Sequence, residues 1–121
     1  LSNDPKYFSE SDRLLEDALS KSPKRQQILF ALAYVKIQLG KKDDAVKLYT
    51  QAINDNSKIG ESYWRLAYTH KMLGDTDSAK EVLELAKKNN VKFTDEEKKI
   101  ISEKILANAT PAIKVASTTK K

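Results

Sequence analysis

Two pairs of aromatic residues stand 34 positions apart in this chain: Phe30 with Trp64, and Tyr34 with Tyr68. Tyr34 follows Phe30, and Tyr68 follows Trp64, by four residues, which puts the two rings of each helix on one face. The Phe and Trp rings in such a row carry no group that transfers a proton or binds a metal. They supply contact area, and binding surfaces draw much of their energy from aromatic and Met side chains. Ile37, Arg65, Lys71 and Met72 fall beside them. The two cations are able to pair with an acidic group or to lie over a ring.

The remaining reactive residue types form no comparable pattern. His70 is the only histidine and there is no cysteine, so a metal site would lack the further soft or imidazole ligands it needs. Asp43-Asp44 and Glu96-Glu97 sit at predicted helix starts. There their charge favourably opposes the helix dipole, which accounts for them without catalysis. No Gly-rich phosphate loop occurs, and Ser, His and Asp show no arrangement that would activate a nucleophile. Lys41-Lys42, Lys87-Lys88 and Lys98-Lys99 read as solvated faces near helix ends. The expectation is a non-enzymatic protein with no cofactor and no metal.

The chain's totals bound the architecture. At 121 residues there is room for one compact domain. Apolar residues make up 40% and charged residues 32%, while Gly and Pro number three each. So few turn-formers argue against a β-rich fold. The net charge of +5 overstates the basic character of the body, because residues 108–121 hold three lysines and no acid, leaving +2 for the rest. Nucleic acid is therefore not an expected partner. No apolar run approaches the ~20 residues that span a bilayer, and no signal peptide is visible. A start at Leu1 rather than Met is what a fragment or a processed product would show.

The elements that must position the aromatics can be read from periodicity and punctuation. After a lead-in over residues 1–8, Ser9 is the expected N-cap of a first helix, with Asp12 in the reciprocal position. Ser22-Pro23 ends it, since proline cannot continue the helix from the preceding residue. Further helices are expected at about 24–39, 42–54, 59–73 and 76–89. Gly40 and Gly74 stop two of them by adopting positive φ. Thr94 and Glu97 form a capping box that opens a sixth helix over about 95–108. Residues 109–121 lack helical periodicity and read as a flexible basic tail.

The 34-residue period extends beyond the aromatics. Leu32-Ala33 recurs as Leu66-Ala67, Leu39-Gly40 as Leu73-Gly74, Ala45 as Ala79, and Ala52 as Ala86. Small residues at these alanines let helices approach closely, while Leu32, Tyr49, Leu66 and Leu83 fill the space between them. A fixed period of this size marks stacked units, none able to bury its apolar face alone. In these features the chain resembles the tetratricopeptide repeat (TPR) family, whose unit is a 34-residue pair of antiparallel helices. The resemblance covers residues 9–107: a half repeat over 9–25, full repeats over 26–59 and 60–93, and a capping helix over 94–108. Ser57 and Val91 depart from the family's terminal proline, and Lys36 and His70 from a tyrosine on each first helix.

The resemblance implies an all-α, right-handed solenoid of about six helices. It implies that the first helix of each unit lines a concave face, where a peptide or protein segment binds. Phe30, Tyr34, Ile37, Trp64, Arg65, Tyr68, Lys71 and Met72 are the expected contact residues, with the paired rings side by side along one groove. Phe30 and Trp64 stand where chaperone-binding members carry lysine, and Tyr34 and Tyr68 where they carry asparagine, so a free terminal carboxylate is not the expected ligand. Two further occupants are a second copy, which would make a self-associating module, and the chain's own tail at Pro111–Val115. A looser similarity, carried by Ser22-Pro23-Lys24-Arg25 and Tyr63-Trp64-Arg65-Leu66-Ala67, is to TPR segments appended to bacterial polysaccharide (O-antigen) ligase-like membrane proteins. It would make this an appended soluble domain of a larger bacterial envelope protein, with no direct membrane insertion; the residues alone leave the compartment open between cytoplasmic and periplasmic or otherwise extracytoplasmic.

Overall fold

The computed structural model describes residues 4–107. The proposed tail, and with it the idea that Pro111–Val115 occupies the groove, lies outside the described residues. Among the described residues there are six helices and no strand: α1 (Pro5–Lys21), α2 (Gln26–Gln38), α3 (Lys42–Asp55), α4 (Gly60–Met72), α5 (Thr76–Lys88) and α6 (Asp95–Ile100), which continues as one π-helical turn over Ile101–Ile105. Helices α2 and α3 form one antiparallel hairpin and α4 and α5 the next, with α3 packed on α4 and α1 on α2. The last helix packs on α4.

The period is built into the helix ends. Gly40 and Gly74 adopt φ of +78° and +81°. In each case the next residue donates back across the turn, Lys41 N–H to the Lys36 carbonyl and Asp75 N–H to the His70 carbonyl. The glycine itself donates to Ile37 or Lys71. This paired return satisfies carbonyls that the helix end leaves open. Asn90 does the same after α5 with φ of 58°, its neighbour Val91 donating to Ala86.

Between the hairpins lies one core. Ala33, Ala45, Ala67, Ala79 and Ala86 are buried, and Tyr49, Ile53, Tyr63, Leu66, Ile101 and Ile105 fill the gaps they leave. Each large buried side chain contributes on the order of 2 kcal/mol in apolar burial. Tyr63 adds a polar clamp. Its hydroxyl donates to the Ser57 carbonyl at 2.8 Å and accepts from Asn89 Nδ2 at 2.9 Å, tying the α3–α4 loop to the end of α5. In the first unit Gln26 and Gln51 brace the corresponding corner, donating to the Ala52 and Pro23 carbonyls.

Three expectations are corrected. Helix α1 begins at Pro5 rather than at Ser9. Asp4 caps it by accepting from Lys6 N–H at 2.9 Å, and proline suits the first helical position because its missing N–H would have no partner there. Residues 5–8 are therefore helical, and Phe8 is buried. The sixth helix opens on the expected capping box, but it does not stay α-helical: Leu106 N–H bonds the Ile101 carbonyl. Lys36, expected only as a departure from the family pattern, is buried and bridges two helices. Its ammonium meets Asp12 Oδ1 at 2.7 Å and Glu16 Oε2 at 2.9 Å on α1.

Candidate functional site

The concave side is lined by α2, α4 and the last helix. A groove of about 330 Å³ runs between them, bounded by Tyr34, Ile37, Trp64, Tyr68, Met72 and Ile100. A second, more open hollow of about 500 Å³ lies toward α1, against Tyr7, Phe8, Leu15 and Phe30. Tyr34 and Arg65 belong to both, so the two form one surface divided by these side chains. Tyr34 is 50% exposed and Met72 37%. Both are large apolar groups held open to solvent by the stack.

The eight predicted contact residues separate into distinct environments. Tyr34, Ile37, Trp64, Arg65, Tyr68 and Met72 converge on the groove, and Phe30 on the hollow beside it. Lys71 does not join them. Its ammonium donates to the Ile105 and Ala107 carbonyls, both at 3.0 Å, and so caps the C-terminal end of the last helix, where a cation is favoured.

Nor do the rings stack in the expected pairs. Among the described residues Phe30 meets Tyr49 at 6.1 Å between centroids, and Tyr34 meets Phe8 edge-on at 6.3 Å. Phe30, Trp64 and Tyr68 are half-buried and pack against the core, so the concave face does use aromatics structurally. Neighbouring helices are the cause. Tyr49 of α3 reaches up beneath Phe30, and α6 closes over Trp64, whose indole N–H donates to Glu97 Oε2 at 3.2 Å.

Local spacing reveals only one of the two roles of Glu97. One carboxylate oxygen completes the capping box with Thr94 N–H and the other holds Trp64. Its approach is permitted by Gly60, where a Cβ would stand 3.1 Å from that carboxylate and 3.0 Å from the Phe93 ring.

Charge in the groove is local. Arg65 donates to Glu61 Oε2 at 2.7 Å, one turn earlier, and its guanidinium lies 4.6 Å from the Trp64 ring centre. Beneath it, burial pushes the Tyr49 phenol above its ordinary value, against the opposing pull of Arg65. The phenol therefore stays neutral at physiological pH. His70 lies in a separate cleft with Asp43 and Asp75. Among the described residues no three His, Cys, Asp or Glu side chains gather in a way that could hold a metal ion.

Comparison with known families decides what this helical stack is. Two models described as tetratricopeptide repeat match the chain, one over residues 9–66 and one over residues 60–90. The chain belongs to the TPR family. The first match takes in the half repeat and the α2–α3 unit, and the second the α4–α5 unit. TPR repeats mediate protein–protein interaction and are not themselves catalytic. No curated protein matches the chain, and both family matches are to the repeat alone, so the polysaccharide-ligase resemblance finds no support. No helix among the described residues is long and apolar enough to cross a membrane.

Proposed function

We propose that this TPR unit binds a protein segment in its concave groove, through Tyr34, Ile37, Trp64, Tyr68 and Met72. The observation that carries this reading is the exposure of Tyr34 and Met72 at either side of an apolar trough whose other walls are fixed by packing. Leaving two large apolar side chains in water is unfavourable, and a partner that covers them recovers that free energy. Trp64 and Arg65 arrive already oriented by Glu97 and Glu61, which lowers the ordering cost of binding. The trough favours an apolar or aromatic segment, and the Arg65 guanidinium beside it favours a carbonyl or carboxylate on that segment.

The test uses the exposed pair, because Trp64 and Tyr68 also support the fold. Peptides selected from a displayed library on the wild-type protein should bind Tyr34→Ala/Met72→Ala at least about tenfold more weakly. Helical circular dichroism should be unchanged. Equal affinity for the double variant, or failure of the wild type to select any peptide, overturns the groove reading.

A further inference from the structure

The 34-residue period also repeats a charge. Lys24, Lys58 and Lys92 stand one period apart in turn. They fall in three successive connections, between α1 and α2, between α3 and α4, and between α5 and α6. Because neighbouring helices are antiparallel, these three connections lie along the same edge of the stack. All three lysines are exposed, and among the described residues none pairs with a carboxylate. Lys58 donates to the Asn89 carbonyl at the C-terminal end of α5, where the helix dipole favours its charge but no carboxylate among the described residues neutralises it.

The surroundings reinforce the sign. Lys21, Arg25, Lys87 and Lys88 flank the same connections. Lys21 is matched by Asp17 at 3.1 Å, and Asp55, Glu61, Asp95 and Glu96 are the acids within four residues of the three lysines, Glu61 being paired with Arg65. On the opposite edge the period does not preserve charge, since Lys41 there corresponds to Asp75. Lys58 caps α5, but the stack itself requires no lysine at positions 24 and 92, whereas it does require the repeated alanines and glycines.

We propose that this edge is a second binding surface, a ladder of three lysines that takes an acidic, extended segment of a partner polypeptide. Successive rungs are two helix steps apart, which sets them between about 10 and 20 Å from one another, about the reach of three to six residues of extended chain. A segment with a carboxylate at every third residue therefore meets each rung in turn. A nucleic acid fits less well. Its phosphates are continuous and would be driven against Asp55, Asp95 and Glu96, and the loops offer no ring on which bases could stack except Phe93, which is packed against the core. The ladder uses none of the groove residues and stands or falls independently of them.

The probe is a fluorescein-labelled peptide of repeated Glu-Gly-Ser triplets, with repeated Gln-Gly-Ser as its neutral counterpart, titrated by anisotropy at low and physiological salt. The wild type should bind the Glu peptide in preference, with affinity falling as salt rises. Lys24→Glu/Lys58→Glu/Lys92→Glu should weaken it by about tenfold or more, and Lys47→Glu/Lys80→Glu/Lys99→Glu, with the same change in net charge, by no more than about twofold. Lys24→Gln/Lys92→Gln, which spares the Lys58–Asn89 hydrogen bond, should also lose affinity while keeping wild-type circular dichroism. Equal losses in the two triple variants, no preference for Glu over Gln, or tighter binding of oligothymidylate through the same three lysines would each overturn the proposal.

Discussion

Replacing Lys36 with Met tests whether the first helix is held by charge or by packing alone. Met is close in volume, so the change removes the ammonium and little else. The Lys36 side chain is 9% exposed, Asp12 20% and Glu16 52%. A fully buried pair broken on one side costs about 3–5 kcal/mol, and an exposed one about 0–1. Glu16 can regain water, so its share lies at the lower end, on the order of 0.5 kcal/mol. Asp12 is largely enclosed and loses a 2.7 Å charge-assisted contact, on the order of 1–1.5 kcal/mol. Lys36→Met should therefore destabilise the protein by about 1.5–2 kcal/mol.

The loss should appear as earlier melting by circular dichroism and as faster hydrogen exchange in α1, with α4 and α5 little affected, since repeat units are coupled chiefly to their neighbours. A cycle with Asp12→Asn should give a coupling of about 1 kcal/mol. Burial works to lower the Lys36 pKa, but the hydrogen bonds and charges of Asp12 and Glu16 outweigh it and leave the ammonium above its ordinary 10.5. The stabilisation is thus fully present below pH 10.5 and is lost as pH rises through the higher folded value. Unchanged α1 protection in Lys36→Met, or strict additivity with Asp12→Asn, would refute this reasoning.

Two other substitutions probe the turns and the clamp. A methyl group added at Gly74 would meet nothing within 4 Å, but the residue holds φ of +81°, so Gly74→Ala should cost about 1–2 kcal/mol in chemical denaturation from backbone strain alone. An unchanged midpoint would show that the turn relaxes. Tyr63→Phe strands the Ser57 carbonyl and Asn89 amide of a fully buried ring. It should lower stability by about 1–2 kcal/mol with the helix content intact, and a neutral result would mean that water replaces the hydroxyl.

The features legible in the sequence are those written over short stretches. Gly40 and Gly74 mark their turns because only the residue itself must adopt positive φ, and the Thr94–Glu97 box spans a single helical turn. The repeated alanines are legible because stacking demands the same small volume in each unit. Lys36 is not, because its partners lie on another helix and nothing local distinguishes a bridging lysine from a solvated one. Phe30, Trp64 and Tyr68 are less open than their spacing suggests, since helical spacing tells which face a ring occupies but not how far a neighbouring element covers that face. Lys71 leaves the groove for the same reason: the carbonyls it caps belong to a helix that follows it in the chain. Pro5 opens α1, and the Ser9 signal further along is a sound cap in a place where the helix has already begun.

The double engagement of Glu97 sets an order of events. The groove takes Ile100 and Lys104 from the last helix as part of its wall, and Trp64 gains its hydrogen bond only when Glu97 arrives. A ribosome delivers α2 and α4 well before residues 94–105, and helices formed early must wait for those that follow. Until then Trp64 has no anchor and the trough has no far side. The trough is thus walled on that side only once residues 94–105 have been made, by the same carboxylate that opens α6.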